Sequence, residues 1–207
     1  MRRTAIDMKT YPRRAHFEHF TAMPNPFAGV TVNVDVTALR AFCRDRGASF
    51  TLAFLHAAAR AANAVPALRQ RISNGGIVEY DACGTSHVEL LPDGTYCYCT
   101  LYHDADWDDY LPRAAELQRL CRTRATIDED DDVEGLYFCT CLPWLHFVDF
   151  QQPTDPAVSN PHISWGRFEQ DWRGRWMMPV NLLAHHALAD GAHIAAFFRA
   201  LDEQLRL

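Results

Sequence analysis

The alternation of hydrophobic and polar residues first becomes clear over residues 28–36. Val30, Val32, Val34 and Val36 share one side of this segment, and small or polar residues occupy the other. A period of two predicts a strand that is buried on one face only. The chain therefore begins its regular structure with a half-buried strand.

Two helices are predicted to follow this strand. The first begins near Thr37, a residue type that caps helices, and ends at Gly47. The second is rich in alanine, opens at Ser49 or Thr51 and continues to about Asn63. Its narrow stripe of small residues is suited to close packing on a sheet.

The rest of the chain alternates between the period of two residues that is typical of strands and the period of about 3.6 residues that is typical of helices. The predicted elements are a strand at 77–80, a hairpin of strands at 87–91 and 95–102, a helix over 108–124, strands at 136–142, 145–150, 163–168 and 177–185, and a final helix to the chain end. The acidic run at 128–132 predicts a solvated loop. These elements predict one domain over residues 1–207. Its fold class is α/β, an α+β two-layer sandwich in which helices cover a mixed, largely antiparallel sheet.

Composition narrows the function classes. The formal net charge is −6, which argues against nucleic acid as a partner because nucleic-acid-binding proteins usually carry a basic surface. No apolar run approaches the roughly 18 residues of a membrane span, and no secretory signal follows Arg2 and Arg3. We therefore expect a cytoplasmic protein with no membrane partner.

The seven cysteines include two closely spaced pairs. Cys97 and Cys99 form one pair, and Cys139 and Cys141 form the other; residues two apart on a strand share a face. Two such pairs are one possible zinc site, but structural zinc sites usually space their ligands more widely, at turns. Small buried thiols are the alternative that we favour, so we expect no metal.

The segment from His185 to Gly191 carries the strongest chemical signal. It reads His-His-Ala-Leu-Ala-Asp-Gly and lies where the last predicted strand meets the last helix. A neutral histidine titrates near neutrality and can remove a proton from a hydroxyl or thiol group. Because His-x-x-x-Asp alone is a short motif, the preceding histidine and following glycine make it informative.

Three segments in this order resemble the chloramphenicol acetyltransferase family. They are Tyr11 to Phe20, with its arginine pair and His-Phe-Glu run, Leu142 to Phe147, with its Pro-Trp pair, and Pro179 to Gly191. The resemblance implies an enzyme that moves the acetyl group of acetyl-CoA to a hydroxyl group of a small molecule, in a homotrimer with its active sites between subunits. It also implies a chloramphenicol acetyltransferase-like fold and leaves antibiotic resistance open as a role.

The resemblance assigns roles to several residues. His186 matches the general base, which takes the proton of the acceptor hydroxyl while that oxygen attacks the thioester directly, with no acyl-enzyme. Asp190 and Arg13 match a structural pair that supports the site. Ser164 matches a threonine that orders water near the reacting atoms.

At Asp149 the chain departs from the family, which has a serine there that donates a hydrogen bond to the oxyanion. A deprotonated carboxylate cannot donate a hydrogen bond and repels an oxyanion. Three interpretations stay open. Asp149 is neutral or turned aside while another donor acts, it binds an amine of an unusual acceptor, or the chain has lost acetyl transfer.

Both substrate pockets also depart from the family. The aromatic pair that contacts the acceptor becomes His19 and Phe20, and Phe27 is a further candidate for the acceptor pocket. Phe168 replaces a tyrosine on the cofactor side, and Arg167 and Phe168 are the candidate residues for binding CoA. Chloramphenicol itself is therefore doubtful as the natural acceptor.

Two other hypotheses compete with acetyl transfer. The catalytic domain of a dihydrolipoamide acyltransferase shares the fold and a His-x-x-x-Asp-Gly segment, but that class carries a lipoyl domain and linker that this sequence lacks. The alternative from another class is a catalytically inert homologue that binds CoA or another ligand, because Asp149 replaces the serine. The environment of Asp149 separates these hypotheses.

Overall fold

The computed structural model describes residues 1–128 and 132–207, so most of the acidic run lies outside the described residues. Five α-helices are described: α1 (Arg14–Thr21), α2 (Thr37–Arg46), α3 (Phe50–Asn63), α4 (Trp107–Arg124) and α5 (Gly191–Arg206). The described strands are β1 (Arg3–Ala5), β2 (Phe27–Asp35), β3 (Gln70–Ser73), β4 (Gly76–Tyr80), β5 (Gly84–Leu90), β6 (Tyr96–Leu101), β7 (Leu136–Leu142), β8 (His162–Gly166), β9 (Glu169–Gln170) and β10 (Trp176–His185).

Seven strands form one mixed sheet in the order β2-β10-β8-β7-β5-β6, with β9 paired to β10. The β5–β7 and β7–β8 pairs are parallel and the other pairs are antiparallel. The predicted fold class, a largely antiparallel sheet covered by helices, is confirmed. A second, three-stranded sheet has the order β1-β4-β3.

Helices α2, α3, α4 and α5 cover one face of the large sheet. Along β10, Met178, Val180, Leu182 and Ala184 point into this core and are at most 2% exposed. The residues between them point to the opposite face, because successive side chains alternate across a strand. This helix-free face carries the site described below.

The sequence predicted most helix boundaries because their capping residues are local. Ser49 caps α3 by accepting a hydrogen bond from the Leu52 N–H at 3.4 Å. Gly47 ends α2 at φ +62°, a left-handed conformation that glycine adopts without steric cost. Thr37, by contrast, is not the cap of α2 but its first residue, and its hydroxyl accepts a hydrogen bond from the Trp176 N–H at 2.8 Å.

The predicted strand at 145–150 is wrong. After β7 the chain makes a turn, closed by a hydrogen bond from the Leu145 N–H to the Leu142 carbonyl at 3.1 Å, and it continues without strand pairing. Pro143 lacks a backbone N–H, which disfavours continued pairing. The apolar residues of this loop are largely exposed, including Trp144 at 62% and Val148 at 91%.

Pro179 lies in the interior strand β10, at a position where the strands on one side of β10 are interrupted. On one side β10 pairs with β8 through Val180–Leu183 and with β9 through Trp176 and Met177. Proline cannot donate to a sheet ladder and is tolerated where pairing is interrupted. In the part of the chain described, no helix is long and apolar enough to cross a membrane.

Candidate active site

His186 lies just beyond β10, in the turn that leads into α5. Its backbone N–H donates to the Pro26 carbonyl at 2.7 Å, which ties this turn to the residue before β2. Its ring Nδ1 lies 3.0 Å from the Ala189 carbonyl oxygen. Because a carbonyl only accepts hydrogen bonds, Nδ1 carries the proton in the neutral ring. Nε2 is then an unprotonated nitrogen, available as a base.

The N-terminal segment orients this imidazole. The ring of Phe20, near the end of α1, stacks on the ring of His186 with centroids 4.0 Å apart and planes 18° apart. His19 contacts the edge of Phe20 at 5.0 Å and is exposed. Of the residues predicted for the acceptor pocket, Phe20 therefore stacks directly on the predicted base His186, and His19 contacts Phe20.

Asp190 joins the same segment to the start of α5. Its carboxylate forms an ion pair with Arg13, accepts a hydrogen bond from the Ala192 N–H at 3.0 Å, and lies 2.8 Å from His193 Nδ1. Burial opposes its ionisation, but the hydrogen bond from Arg13 and the charges of His193 and Arg13 hold the pKa of Asp190 well below its usual range. The pairing that the resemblance implied is present.

His185 occupies a different environment from His186. It is buried on the helix-free face, where its ring contacts Phe27 edge-on at 5.4 Å. Burial, and then the charge of His186, lowers the pKa of His185 to about 4. The two histidines therefore point to different surroundings, as strand alternation predicted.

Asp149 is exposed within the chain. Its carboxylate accepts a hydrogen bond from the neighbouring Phe150 N–H at 2.9 Å. Within the described residues no ion pair joins it to His186 or to an arginine. Neither environment that would separate the hypotheses, buried beside the base or paired with a cation, is found in the single chain.

Ser164 lies in the middle of β8 and is fully buried. Its hydroxyl has no hydrogen-bond partner among the described residues, and neither does Oδ1 of Asn181, the residue directly opposite on β10. Asn181 Nδ2 donates to Thr31 on β2 at 3.0 Å. A buried donor and a buried acceptor on adjacent strands favour a bridging water or a ligand hydroxyl group.

A cavity of about 480 Å³ opens on the helix-free face of the sheet. Its lining includes Ser86, Val88, Tyr96, Tyr98, Phe138, Thr140 and His162 from the strands, and Phe150, Gln152 and Pro153 from the following loop. Burial lowers the pKa of His162 to about 4, so this ring is neutral near pH 7. Phe27 contacts His162 edge-on at 6.1 Å, beside the cavity.

The predicted cofactor residues lie at the other end of β8. Arg167 forms an ion pair with Glu169 at 2.6 Å and is exposed. Phe168 packs edge-on against Phe50 at 5.2 Å and against Trp176 at 5.6 Å. The structure therefore places Phe168 in an aromatic cluster at the surface, while Arg167 is already neutralised by a carboxylate.

The paired cysteines are free thiols. Cys97, Cys99 and Cys139 are buried, and burial raises the pKa of Cys99, Cys139 and Cys141. Within residues 1–128 and 132–207, no group of three or more histidine, cysteine or acidic side chains is placed to hold a metal ion. Burial among apolar neighbours accounts for these thiols.

Sequence reasoning missed most of the cavity. Of the three residues predicted for the acceptor pocket, none is among its lining residues, and nothing in the local pattern marks His162 or Gln152. These side chains meet because β5, β7 and β8 are neighbours in the sheet, although their strands are far apart in sequence. The alternation of buried and partly exposed residues along each strand is the one signal that pointed to this face.

Comparison with known proteins agrees with the geometry. The sequence profile named chloramphenicol acetyltransferase matches residues 1–202. The chloramphenicol acetyltransferase of Streptomyces acrimycini is 28% identical and that of a Klebsiella species 25% identical; each alignment covers 97% of this chain, and 93% and 92% of those proteins.

Solved structures extend the comparison to the fold. A chloramphenicol acetyltransferase superimposes with a TM-score of 0.85 at 25% identity, covering 99% of this chain and all of the other. Dihydrolipoamide acetyltransferase of Azotobacter vinelandii shares the fold, with a TM-score of 0.70 at 19% identity over 93% of this chain and 86% of that one. With a profile match over nearly its whole length, the chain belongs to the chloramphenicol acetyltransferase family and is an acyltransferase.

Proposed function

We propose that the protein is an acetyl-CoA-dependent O-acetyltransferase that acts on a hydroxyl group of a small molecule, with His186 as general base. The observation that carries the proposal is the contact between His186 Nδ1 and the Ala189 carbonyl at 3.0 Å. It fixes the tautomer in which Nε2 is the basic nitrogen. The Phe20 stack holds the ring in this orientation.

The proposed reaction proceeds through a ternary complex. Nε2 of His186 takes the proton of the acceptor hydroxyl as its oxygen bonds to the thioester carbonyl carbon. The tetrahedral intermediate then collapses, the carbon–sulfur bond breaks, and the proton on His186 passes to the CoA thiolate. Holding both substrates together replaces a bimolecular encounter with an intramolecular step.

The cavity on the helix-free face is the proposed acceptor pocket. Its aromatic rings suit an apolar or aromatic body, and its hydroxyl, amide and imidazole groups suit polar substituents. None of the lining residues described carries a charge near pH 7. We therefore propose an uncharged acceptor rather than a carboxylate or an amine.

A homotrimer completes the proposed site. His186 does not line the cavity of its own chain, so we propose that the base of one subunit faces the cavity of its neighbour. Exposed apolar residues in the loop after β7, Trp144, Leu145 and Val148, support an interface on this side. The edge strand β2 offers unpaired backbone groups to a neighbour.

The alternative is an inert homologue that binds CoA or another ligand, and the replacement of the serine by Asp149 is its basis. Near an acetyl group, the carboxylate of Asp149 would oppose the oxyanion, and Ser164 is the hydroxyl donor that we propose in its place. The Ser164 hydroxyl has no partner among the described residues and is therefore free to donate in the proposed active enzyme. Turnover of acetyl-CoA separates the two hypotheses.

The test is thiol release from acetyl-CoA with a panel of uncharged alcohols that includes chloramphenicol. We expect acceptor-dependent release and a fall in kcat of roughly 10²–10⁴-fold in His186→Ala. The matched control is His16→Ala, which replaces an exposed histidine on α1 and should retain full activity. No turnover with any acceptor, together with no CoA binding in a calorimeter, would favour the inert homologue, whereas CoA binding without turnover would point to an acceptor outside the panel.

A further inference from the structure

Arg40 on α2 lies within the aromatic cluster around Phe168. Its guanidinium carbon is 3.7 Å from the ring centroid of Trp176 and 4.6 Å from that of Phe168. Phe50, the first residue of α3, contacts Phe168 from another side. Two rings therefore hold one cation at a fixed position on the partly exposed surface.

Among the described residues, the guanidinium of Arg40 has no counter-ion. Within the described residues, no carboxylate lies within ion-pair distance of Arg40 and no hydrogen bond to its guanidinium is found. The acidic residues of the adjoining segments pair with other arginines: Asp35 and Asp171 both face Arg175, and Glu169 pairs with Arg167. Stacking leaves the edge of a guanidinium, where its N–H groups lie, free to bind an anion.

The other ring-stacked arginine of α2 makes a useful contrast. Arg46 lies 4.5 Å from the ring of Phe42, but its guanidinium is neutralised by an ion pair with Asp108. The same helix thus holds two arginines on aromatic rings, one neutralised and one not. Structural packing alone accounts for Arg46 and leaves the open charge of Arg40 unexplained.

We propose that Arg40 binds a phosphate group of CoA. The inference rests on the proposed function and adds a second cation to its cofactor side, where Arg167 is paired with Glu169. A planar guanidinium donates two parallel hydrogen bonds to phosphate oxygens. Because Trp176 and Phe168 already restrict its side chain, Arg40 loses little conformational freedom on binding.

The experiment compares Arg40→Met with Arg46→Met. Methionine keeps an apolar stem on the Trp176 ring and removes the charge. We expect the Kd for CoA and the KM for acetyl-CoA to rise about tenfold in Arg40→Met, with the KM for the acceptor unchanged, since a charge-assisted hydrogen bond is lost. Arg46→Met should leave all three constants within about twofold of the wild type.

A second cofactor locates the phosphate. The wild type and Arg40→Met are both measured with 3′-dephospho-CoA. If the two proteins bind this cofactor equally well, Arg40 binds the 3′-phosphate. If Arg40→Met binds it more weakly than the wild type does, Arg40 binds the diphosphate. Either result supports the inference. Unchanged CoA affinity in a folded Arg40→Met overturns it and leaves acetyl transfer intact. A wild type that binds no CoA overturns both.

Discussion

The guanidinium of Arg13 forms an ion pair with the carboxylate of Asp190, 177 positions further along the chain. Arg13 is the residue before α1, and Asp190 caps α5, four residues after His186. The pair therefore fastens the segment that stacks on His186 to the turn that carries it. Both side chains are partly buried, with exposed fractions of 20% and 33%.

Asp190→Asn should destabilise the protein and reduce its activity. Asparagine also caps helices, so the hydrogen bond from Ala192 can persist while the ion pair is lost. Arg13 Nε and Nη2 are already buried without partners among the described residues, so the change leaves a partly buried cation uncompensated. We expect a loss of about 1–3 kcal/mol in the free energy of unfolding, measured by urea denaturation.

A double variant and a surface control complete this prediction. Arg13→Met combined with Asp190→Asn should recover part of the lost stability, because the unpaired charge is then absent. Asp202→Asn breaks an exposed pair with Arg206 and should cost less than about 0.5 kcal/mol. Equal losses in Asp190→Asn and Asp202→Asn would contradict a structural role for the Arg13 pair.

Asp149→Ser should raise kcat about tenfold. The change removes a negative charge from the proposed oxyanion region and adds a hydroxyl donor. Since Asp149 is exposed and accepts a hydrogen bond from its own neighbour, the change should leave the stability of the fold nearly unaltered. Steady-state thiol release with saturating substrates measures the effect. A fall in kcat would instead favour the interpretation in which Asp149 binds the acceptor.

Buried histidines should make the fold unstable in mild acid. Burial lowers the pKa of His56 and of His185 to about 4, and it holds that of His103 well below its usual range. Above pH 6.5 these rings are neutral whether the chain is folded or not. Between pH 6.5 and 4 the unfolded chain binds protons that the folded chain excludes, so the free energy of unfolding decreases as the pH is lowered. Each histidine contributes at most about 1.4 kcal/mol per pH unit.

His56 offers the control for this effect. Neither of its ring nitrogens has a hydrogen-bond partner in the described part of the chain, and its ring stacks on Tyr110 at 4.1 Å. His56→Phe should keep the stacking and flatten the decline in stability between pH 6.5 and 5. Urea unfolding at pH 7, 6 and 5, at one protein concentration, measures both slopes. Constant wild-type stability over this range would refute the prediction.

Local features made much of the fold and part of the site predictable from the sequence. Alternating valines mark β2, Ser49 and Gly47 bound their helices, and the His-His-Ala-Leu-Ala-Asp-Gly segment marks the turn that carries His186. These signals depend on neighbouring residues, whose geometry is fixed by backbone sterics and hydrogen bonding. The segment at 145–150 misled because apolar residues in a loop produce the same pattern as a strand.

Tertiary structure decided the features that depend on distant residues. The ring of Phe20 stacks on His186, the sheet order brings His162 beside Phe138, and α2 places Arg40 on Trp176. His185 is buried, which lowers its pKa, whereas Asp149 is exposed. The burial of each residue depends on which segments pack above it. No local pattern encodes these relationships, because each one joins elements whose separation in space is set only when the sheet and its helices assemble.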